Sequence, residues 1–296
     1  MKKLIMCFAL ALWAPLAFAL SPYIAADRVA AGEPTAVMAQ IEKKLQAEGF
    51  QVVGRHLPKG LPQYGVVIVT YKPILDAIAR MGGANIVGAG IRVGVKSDGS
   101  VSYMNPEYWY RAFFRKGYAS SEEAVKDTQE KLAKALGPGK PFGGEEPASD
   151  LLNYRYMIGM EKFDSDKNEL NSFASFDQAV KTVQTNLADK TNNTAKVYEI
   201  IMPDKKLAVF GVALNDPKRG EGWWVKRIGA DHIAAMPYEI YIVGNKAYAL
   251  YGRFRTALAW PDLGMGTFMS ISDMPDATLE ALTGVAGGTY EKSSAF

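Results

Sequence analysis

One order of elements runs through this chain twice, and that order limits what the chain can fold into. In TAVMAQIEKKLQAEGF (35–50), Met38, Ile41 and Leu45 fall on one helical face. Pro34 suits the first helical position and Gly49 ends the helix. QVVGRHLP (51–58) and YGVVIVTY (64–71) are rich in strand-forming residues, and PILDAIARMGG (73–83) predicts a short helix. VGAGIRVGVKSDGSVSYMN (87–105) predicts a hairpin that turns at 97–100. YASSEEAVKDTQEKLAKALGPG (118–139) predicts a helix with Ser120 and Glu123 as a capping box. Its Val125, Leu132 and Leu136 face one way, and Gly137-Pro138 stops it.

The second pass begins with SFDQAVKTVQTNLADK (175–190), a predicted helix capped by Ser175 and Gln178, with Phe176, Val180, Val183 and Leu187 as its stripe. AKVYEIIMP (195–203) and LAVFGVAL (207–214) read as strands, and a less regular stretch, 215–236, stands where the short helix stood. YEIYIVGNKAYALYGRF (238–254) predicts a hairpin about Gly244-Asn245, and PDATLEALTGVAG (275–287) a final helix. Residue identity between the passes is low; the match is in the order of elements. Each half alone is small for a stable core and offers open sheet edges, so pairing the halves buries both. The expected fold is α+β: two similar α/β half-domains, antiparallel sheets covered by helices, in a pseudo-twofold arrangement. The expected divisions are a signal peptide at 1–19, a first half-domain at 20–136, a linker at 137–174 and a second half-domain at 175–296. The linker holds a Gly/Pro-rich section (137–150) and an extra strand (152–163).

The helix ending AEGF, the strand pair, YKPILDAI and the hairpin with a polar turn resemble domain-of-unknown-function family 302, over residues 35–110. The resemblance implies a small α/β domain that dimerises through its sheet, with Lys72-Pro73 in the place of the family's Asn/Lys-Pro pair. The second half would then be a diverged copy, and one polypeptide would carry the family dimer. The cysteine often found before the family's hairpin is absent from IVGAGIRV (86–93), so no redox or metal role carries over. The family name brings no activity with it.

The N-terminus sets the compartment. Lys2 and Lys3 precede an apolar run, Leu4 to Ala14, and Ala17-Phe18-Ala19 has the small-x-small form of a secretory cleavage site. Cleavage after Ala19 and export to the periplasm are expected. The run is shorter than the ~20 residues a membrane span needs, and no transmembrane segment is expected in the mature chain. The only cysteine, Cys7, lies in the signal, which removes disulfides, cysteine catalysis and thiolate metal sites from the mature protein. The formal charge of +3 falls to +1 when Lys2 and Lys3 leave, with both signs interspersed. Nothing there favours nucleic acid.

YGRFRTALAWPDLGMGTFM (251–269) is the most site-like stretch. If 248–255 is a strand, Arg253 and Arg255 share a face and suit a carboxylate or phosphate. Trp260 can stack on a ligand, and Asp262 or Glu239 can pair with the arginines instead. NPEYWYRAFFRKG (105–117), with Trp109 and Arg111, repeats the theme after the first hairpin. Two readings follow. Either Trp109, Arg111, Arg253, Arg255, Trp260 and Asp262 line a cleft for a small anionic or aromatic ligand, or the aromatics seal the join between halves and the arginines pair with acids at its rim. Trp223 and Trp224 in GEGWWVKR (220–227) divide the same way, between binding surface and core.

His56 and His232 stand at unequal places in the two halves and outside any ligand cluster, so they read as ordinary polar residues and no metal is expected. Met157, Met160, Met265, Met269 and Met274 read as gap fillers. No nucleophile elbow, phosphate loop or zinc-protease motif appears, and GGANIVGAG (82–90) precedes a strand instead of opening a helix. The expectation is a non-enzymatic periplasmic protein without a cofactor, binding a small molecule or an envelope protein between its halves, with its oligomeric state open. The competing readings are three. One is an enzyme on an anionic substrate with Asp262 or His232 as acid/base, another a metal or haem carrier using His232 and methionines, and the third a structural partner in an envelope complex.

Overall fold

In the computed structural model, which describes residues 18–291, β1 (Ala19–Leu20) and β2 (Tyr23–Ala25) lead into α1 (Pro34–Ala47), β3 (Gln51–His56), β4 (Tyr64–Thr70) and α2 (Lys72–Met81). A 3₁₀ segment, Gly83–Ala89, then enters β5 (Ile91–Lys96), followed by β6 (Val101–Met104), α3 (Pro106–Phe114) and α4 (Glu122–Leu136). The connector carries β7 (Lys140–Phe142), β8 (Glu146–Pro147) and α5 (Ala148–Leu151). Next come β9 (Glu169–Ser172), α6 (Phe176–Ala188), β10 (Thr194–Met202), β11 (Leu207–Leu214) and α7 (Glu221–Ile228). A second 3₁₀ segment, Ala230–Ala235, enters β12 (Tyr238–Val243), and β13 (Lys246–Tyr248), α8 (Gly252–Ala259), α9 (Met265–Met269) and α10 (Met274–Val285) complete the chain.

The strands form two antiparallel sheets, β3-β4-β5-β6-β2-β7 and β10-β11-β12-β13-β9, with a small β1-β8 pair beside them. Helices cover them, so the fold class is α+β, as the sequence implied. Helix α1 buries Val37, Met38, Ile41 and Leu45 against the first sheet, and α6 buries Phe176, Ala179, Val183 and Leu187 against the second. The helix at 175–190 is capped as expected: Ser175 Oγ accepts from the Gln178 N–H at 3.2 Å, and Gln178 Oε1 accepts from the Ala174 N–H at 3.0 Å. The other cap differs. Helix α4 starts at Glu122 after Ser121, and Ser120 Oγ donates instead to the Gly117 carbonyl at 2.8 Å.

Val66–Val69 of β4 and all eight residues of β11 are buried. A sheet open on one face gives an alternating pattern; these unbroken apolar runs require cover on both faces. The second cover comes from the other half. Gly83–Ala89 packs on β11 and β12, while Ala230–Ala235 packs on β4, β5 and β6. The edge strands β3 and β10 also meet.

Three expectations are corrected. The segment 152–163 forms no strand, and the Gly/Pro-rich section is less bare than a linker because it holds β7, β8 and α5. The predicted hairpin at 238–254 ends at Tyr248, since Gly252 opens a helix. The signal-peptide reading lies outside the described residues except for Phe18 and Ala19; Ala19 pairs with Pro147. Among the described residues no helix is long and apolar enough to cross a membrane.

Candidate functional site

Because 252–259 is helical, Arg253 and Arg255 do not share a face. Two residues turn an α-helix by about 200°, which sends the two side chains to opposite sides. Arg255 goes inward and is 1% exposed. Its Nε donates to Glu239 at 3.3 Å and its Nη2 to the Ala235 carbonyl at 2.7 Å. Glu239 also accepts from Arg92, which has no exposed surface. Both guanidinium carbons lie 4.9 Å from the Trp109 ring centre. Two cations, one carboxylate and one indole thus share a sealed centre between β5, β12, α3 and α8. Burial pulls the Arg92 guanidinium below its ordinary range, with Glu239 opposing. Burial acts likewise on Arg255, but there Glu239 and the nearby tyrosines outweigh it and the net direction is upward. Sequence reading missed Arg92. The available signal was a lone cation inside the apolar run IRVGV.

The other proposed residues lie apart. Arg253 points outward to Glu161, at 2.8 Å. Glu161 also accepts from Tyr156 Oη at 2.6 Å and Lys167 Nζ at 2.8 Å. Burial pushes the Glu161 carboxyl up, but the hydrogen bonds from Lys167 and Tyr156 and the Arg253 charge prevail and hold it at about 2. Arg111 lies 3.5 Å from Glu107, one turn back, with its guanidinium 4.2 Å from the Tyr118 ring centre. Trp260 is buried, stacked on His232 at 5.5 Å, with Nε1 donating to the Gly229 carbonyl at 3.2 Å. His232 in turn touches Tyr23, and Tyr23 touches Trp109. Asp262 is exposed beside Gly144. The structure therefore brings Trp109 and Arg255 together, joins Trp260 to them through rings, and leaves Arg111, Arg253 and Asp262 outside. The cleft these residues were expected to line is filled by their own packing.

Two further expectations are refined. His56 is buried at the end of β3 with Nε2 2.7 Å from Glu221 Oε1, and neither residue is more than 4% exposed. The contact does not have hydrogen-bond geometry, and both atoms are otherwise without a polar partner. Trp224 is core, and Trp223 is half-buried with the Arg227 guanidinium 4.0 Å from its ring centre.

Open space lies on another side of the join. A groove of about 830 Å³ runs between Met81 and Asn85, the end of α3 and the turn after it (Phe114 to Gly117), connector residues 152–154 and 162–164, and Phe254 of α8. A second groove of about 480 Å³ shares Arg115, Phe163 and Asp164 with it and reaches Tyr241 and Tyr248. Arg115 stands where the two meet. Its backbone has φ 50°, a rare conformation for a residue with a side chain, costing of order 1–3 kcal/mol. Its guanidinium lies 4.0 Å from the Phe163 ring centre and only 4.0 Å from the exposed Asp164 carboxylate, while its Nε is buried without a partner. Burial lowers its guanidinium pKa, with Asp164 opposing. Asn85 gives Nδ2 to the Gly82 carbonyl at 2.7 Å and keeps a buried, unpartnered Oδ1. Lys116 and Lys162 are exposed on the rim, and Phe114, Tyr154 and Phe254 form apolar wall. A wider groove between α2 and α4 carries more acids than cations on its walls, among them Glu122, which is already paired with Lys126.

Among the described residues no group of three His, Asp or Glu side chains is placed to hold a metal ion. Compared with family models, curated proteins and solved structures, the chain finds no match.

Proposed function

We propose that this is an exported, non-enzymatic periplasmic binding protein, built from two copies of one α/β unit, that holds a small amphipathic anion in the groove at Arg115. The observation that carries the reading is Arg115 itself: a half-buried guanidinium on a strained backbone, with an unpartnered donor, set against an aromatic wall. Strain of that kind is kept where the surroundings enforce it, and such places are often sites. Three cations, Arg115, Lys116 and Lys162, face the single acid Asp164 there. A ligand with a carboxylate or phosphate for Arg115 and an apolar or aromatic body for Phe114, Tyr154 and Phe254 matches the lining. No nucleophile and base stand together in the groove, which argues against an enzyme. Export is supported by Lys2-Lys3, the apolar run and Ala17-Phe18-Ala19.

A partner protein is the second reading. Met157, Ile158 and Met160 favour it, standing exposed together in the connector, Ile158 at 95%.

The test is native mass spectrometry of mature protein purified gently from the periplasm, against its denatured mass. The expected result is an excess equal to one organic acid, present in the wild type and absent from Arg115→Ala. An unliganded protein, or an excess indifferent to Arg115→Ala, rejects the groove.

A further inference from the structure

The join between the two sheets carries a second message, independent of the groove. In the first sheet Gly54 pairs with Ile68, and Ile68 with Arg92. In the second, Tyr198 pairs with Gly211, and Gly211 with Glu239. Gly54 and Tyr198 each directly follow a bulge, between Val52 and Gly54 in one case and Lys196 and Tyr198 in the other. Arg92 and Glu239 are each the second residue of a six-residue strand. The two three-residue rungs therefore hold corresponding places, and they face each other. Arg92 donates to Glu239 across the join, and a side chain at Gly54 would come 2.6 Å from the Val197 carbonyl oxygen and 2.8 Å from Tyr198 Cβ. A side chain at Gly211 would overlap the Tyr198 ring, which lies on that glycine and is 2% exposed.

At the same place, then, one half offers a cation and no side chain, and the other offers an anion and a large ring. Two first halves would bring two buried guanidiniums together and leave the volume of Tyr198 empty. Two second halves would each keep Arg255 on its own Glu239, so the obstacle there is steric: two Tyr198 side chains would stand where one fits. Buried like charges and voids are both costly, and building such clashes against the wrong partner is how interfaces gain specificity. We propose that these rungs form a recognition surface by which each half accepts only the unlike half, through Arg92 with Glu239 and Gly54 with Tyr198. The consequence is that like-with-like pairing, between two copies of the chain, is refused.

The test starts from the folded full-length chain. A protease site at the exposed Ile158 allows the connector to be cut after folding, leaving the halves joined only by contact. Isotopically heavy and light nicked samples are mixed, warmed until fragments exchange, cooled and weighed by native mass spectrometry. The expected result is that every particle pairs one first fragment with one second fragment, unlike pairs exceeding like pairs at least ~10-fold over random assortment, equivalent to about 1.4 kcal/mol. First–first or second–second pairs at random frequency would overturn the proposal. A second arm mixes nicked Arg92→Glu with nicked Glu239→Arg. Here the first fragment bearing the Arg92→Glu change is expected to choose the second fragment bearing Glu239→Arg, leaving the two unaltered fragments to each other. Pairing that ignores charge would also overturn it. If either reversed chain fails to fold, the doubly reversed chain R92E/E239R is the readout: it keeps two guanidiniums and one carboxylate at the centre. Its folding, where a single reversal does not fold, supports the pairing; its failure to fold counts against it.

Discussion

Glu161 is one residue whose importance follows from geometry alone. It sits in the connector and gathers Arg253, Lys167 and Tyr156 onto one buried carboxylate. Its folded value of about 2 lies below the ordinary 4.5, so the native state holds the ionised form more firmly than the unfolded chain does. The stability this contributes is fully present above pH 4.5 and is lost as pH falls from 4.5 to about 2. Glu161→Gln is expected to melt several degrees below the wild type at pH 7, with the gap closing over that interval; a gap constant with pH would show that the charge is idle. His56 and Glu221 make a second case. His56→Ala strips the buried Glu221 carboxyl of its one polar neighbour, a loss of about 1–3 kcal/mol by chemical denaturation. Replacing both with apolar residues of similar size, as in H56F/E221L, is expected to recover most of it, because the cost lies in the buried polar group left unsatisfied. Neither pair was legible in the sequence. Their members are far apart in the chain, Glu161 from Arg253 by 92 residues, and no local spacing announces them.

At the scale of elements, the long helices and the paired strands were legible because each carries a period or an apolar run over many residues. The short strands were not. β2, β7 and β9 have three or four residues each, too few to show alternation. The misread of 248–255 has a different cause. AYALYGRF alternates well enough to pass for strand, and only the stop at Tyr248 and the buried face of Gly252–Ala259 decide for a helix. β2 matters more than its length suggests. It lies between β6 and β7, and its Tyr23 donates to the Ala259 carbonyl at 3.0 Å while its ring meets Trp109, Phe142 and His232. A chain starting at Leu20 keeps β2; a chain starting at Ala26 removes it. The first is expected to show the near-ultraviolet circular dichroism of a packed aromatic core, and the second to lose it. Equal spectra would mean that β2 is an ornament on the sheet.

For the whole molecule, the sequence carried the succession of elements but not how the halves meet. What decides that is the exchange of the two 3₁₀ segments, each lying on the other half's sheet. The sequence hinted at it only through the unbroken apolar runs of β4 and β11, which need cover on both faces. The same exchange explains why the expected cleft closed around Trp109 and Arg255 and why the open groove formed at Asn85, Arg115, Lys162 and Phe254, four places that no motif links. It also bears on cooperativity. Neither half can unfold without uncovering the second face of the other's central strands, at ~25 cal/mol for each Å² of apolar surface exposed. Calorimetry of the protein is therefore expected to give one transition, its calorimetric and van't Hoff enthalpies equal, although the chain is long enough for two domains. Two resolved transitions would mean that the segments dock too weakly to couple the halves. His232 supplies a check on the same transition. Burial lowers its folded value below the ordinary 6.5, with Asp262 opposing, so the native state resists the proton that the unfolded chain accepts. Its contribution is complete above pH 6.5 and declines as pH falls below it. Because His232 belongs to the segment that crosses from the second half to the first sheet, that decline should move the single transition down as a unit. If the halves were uncoupled, acid would instead split off a lower transition.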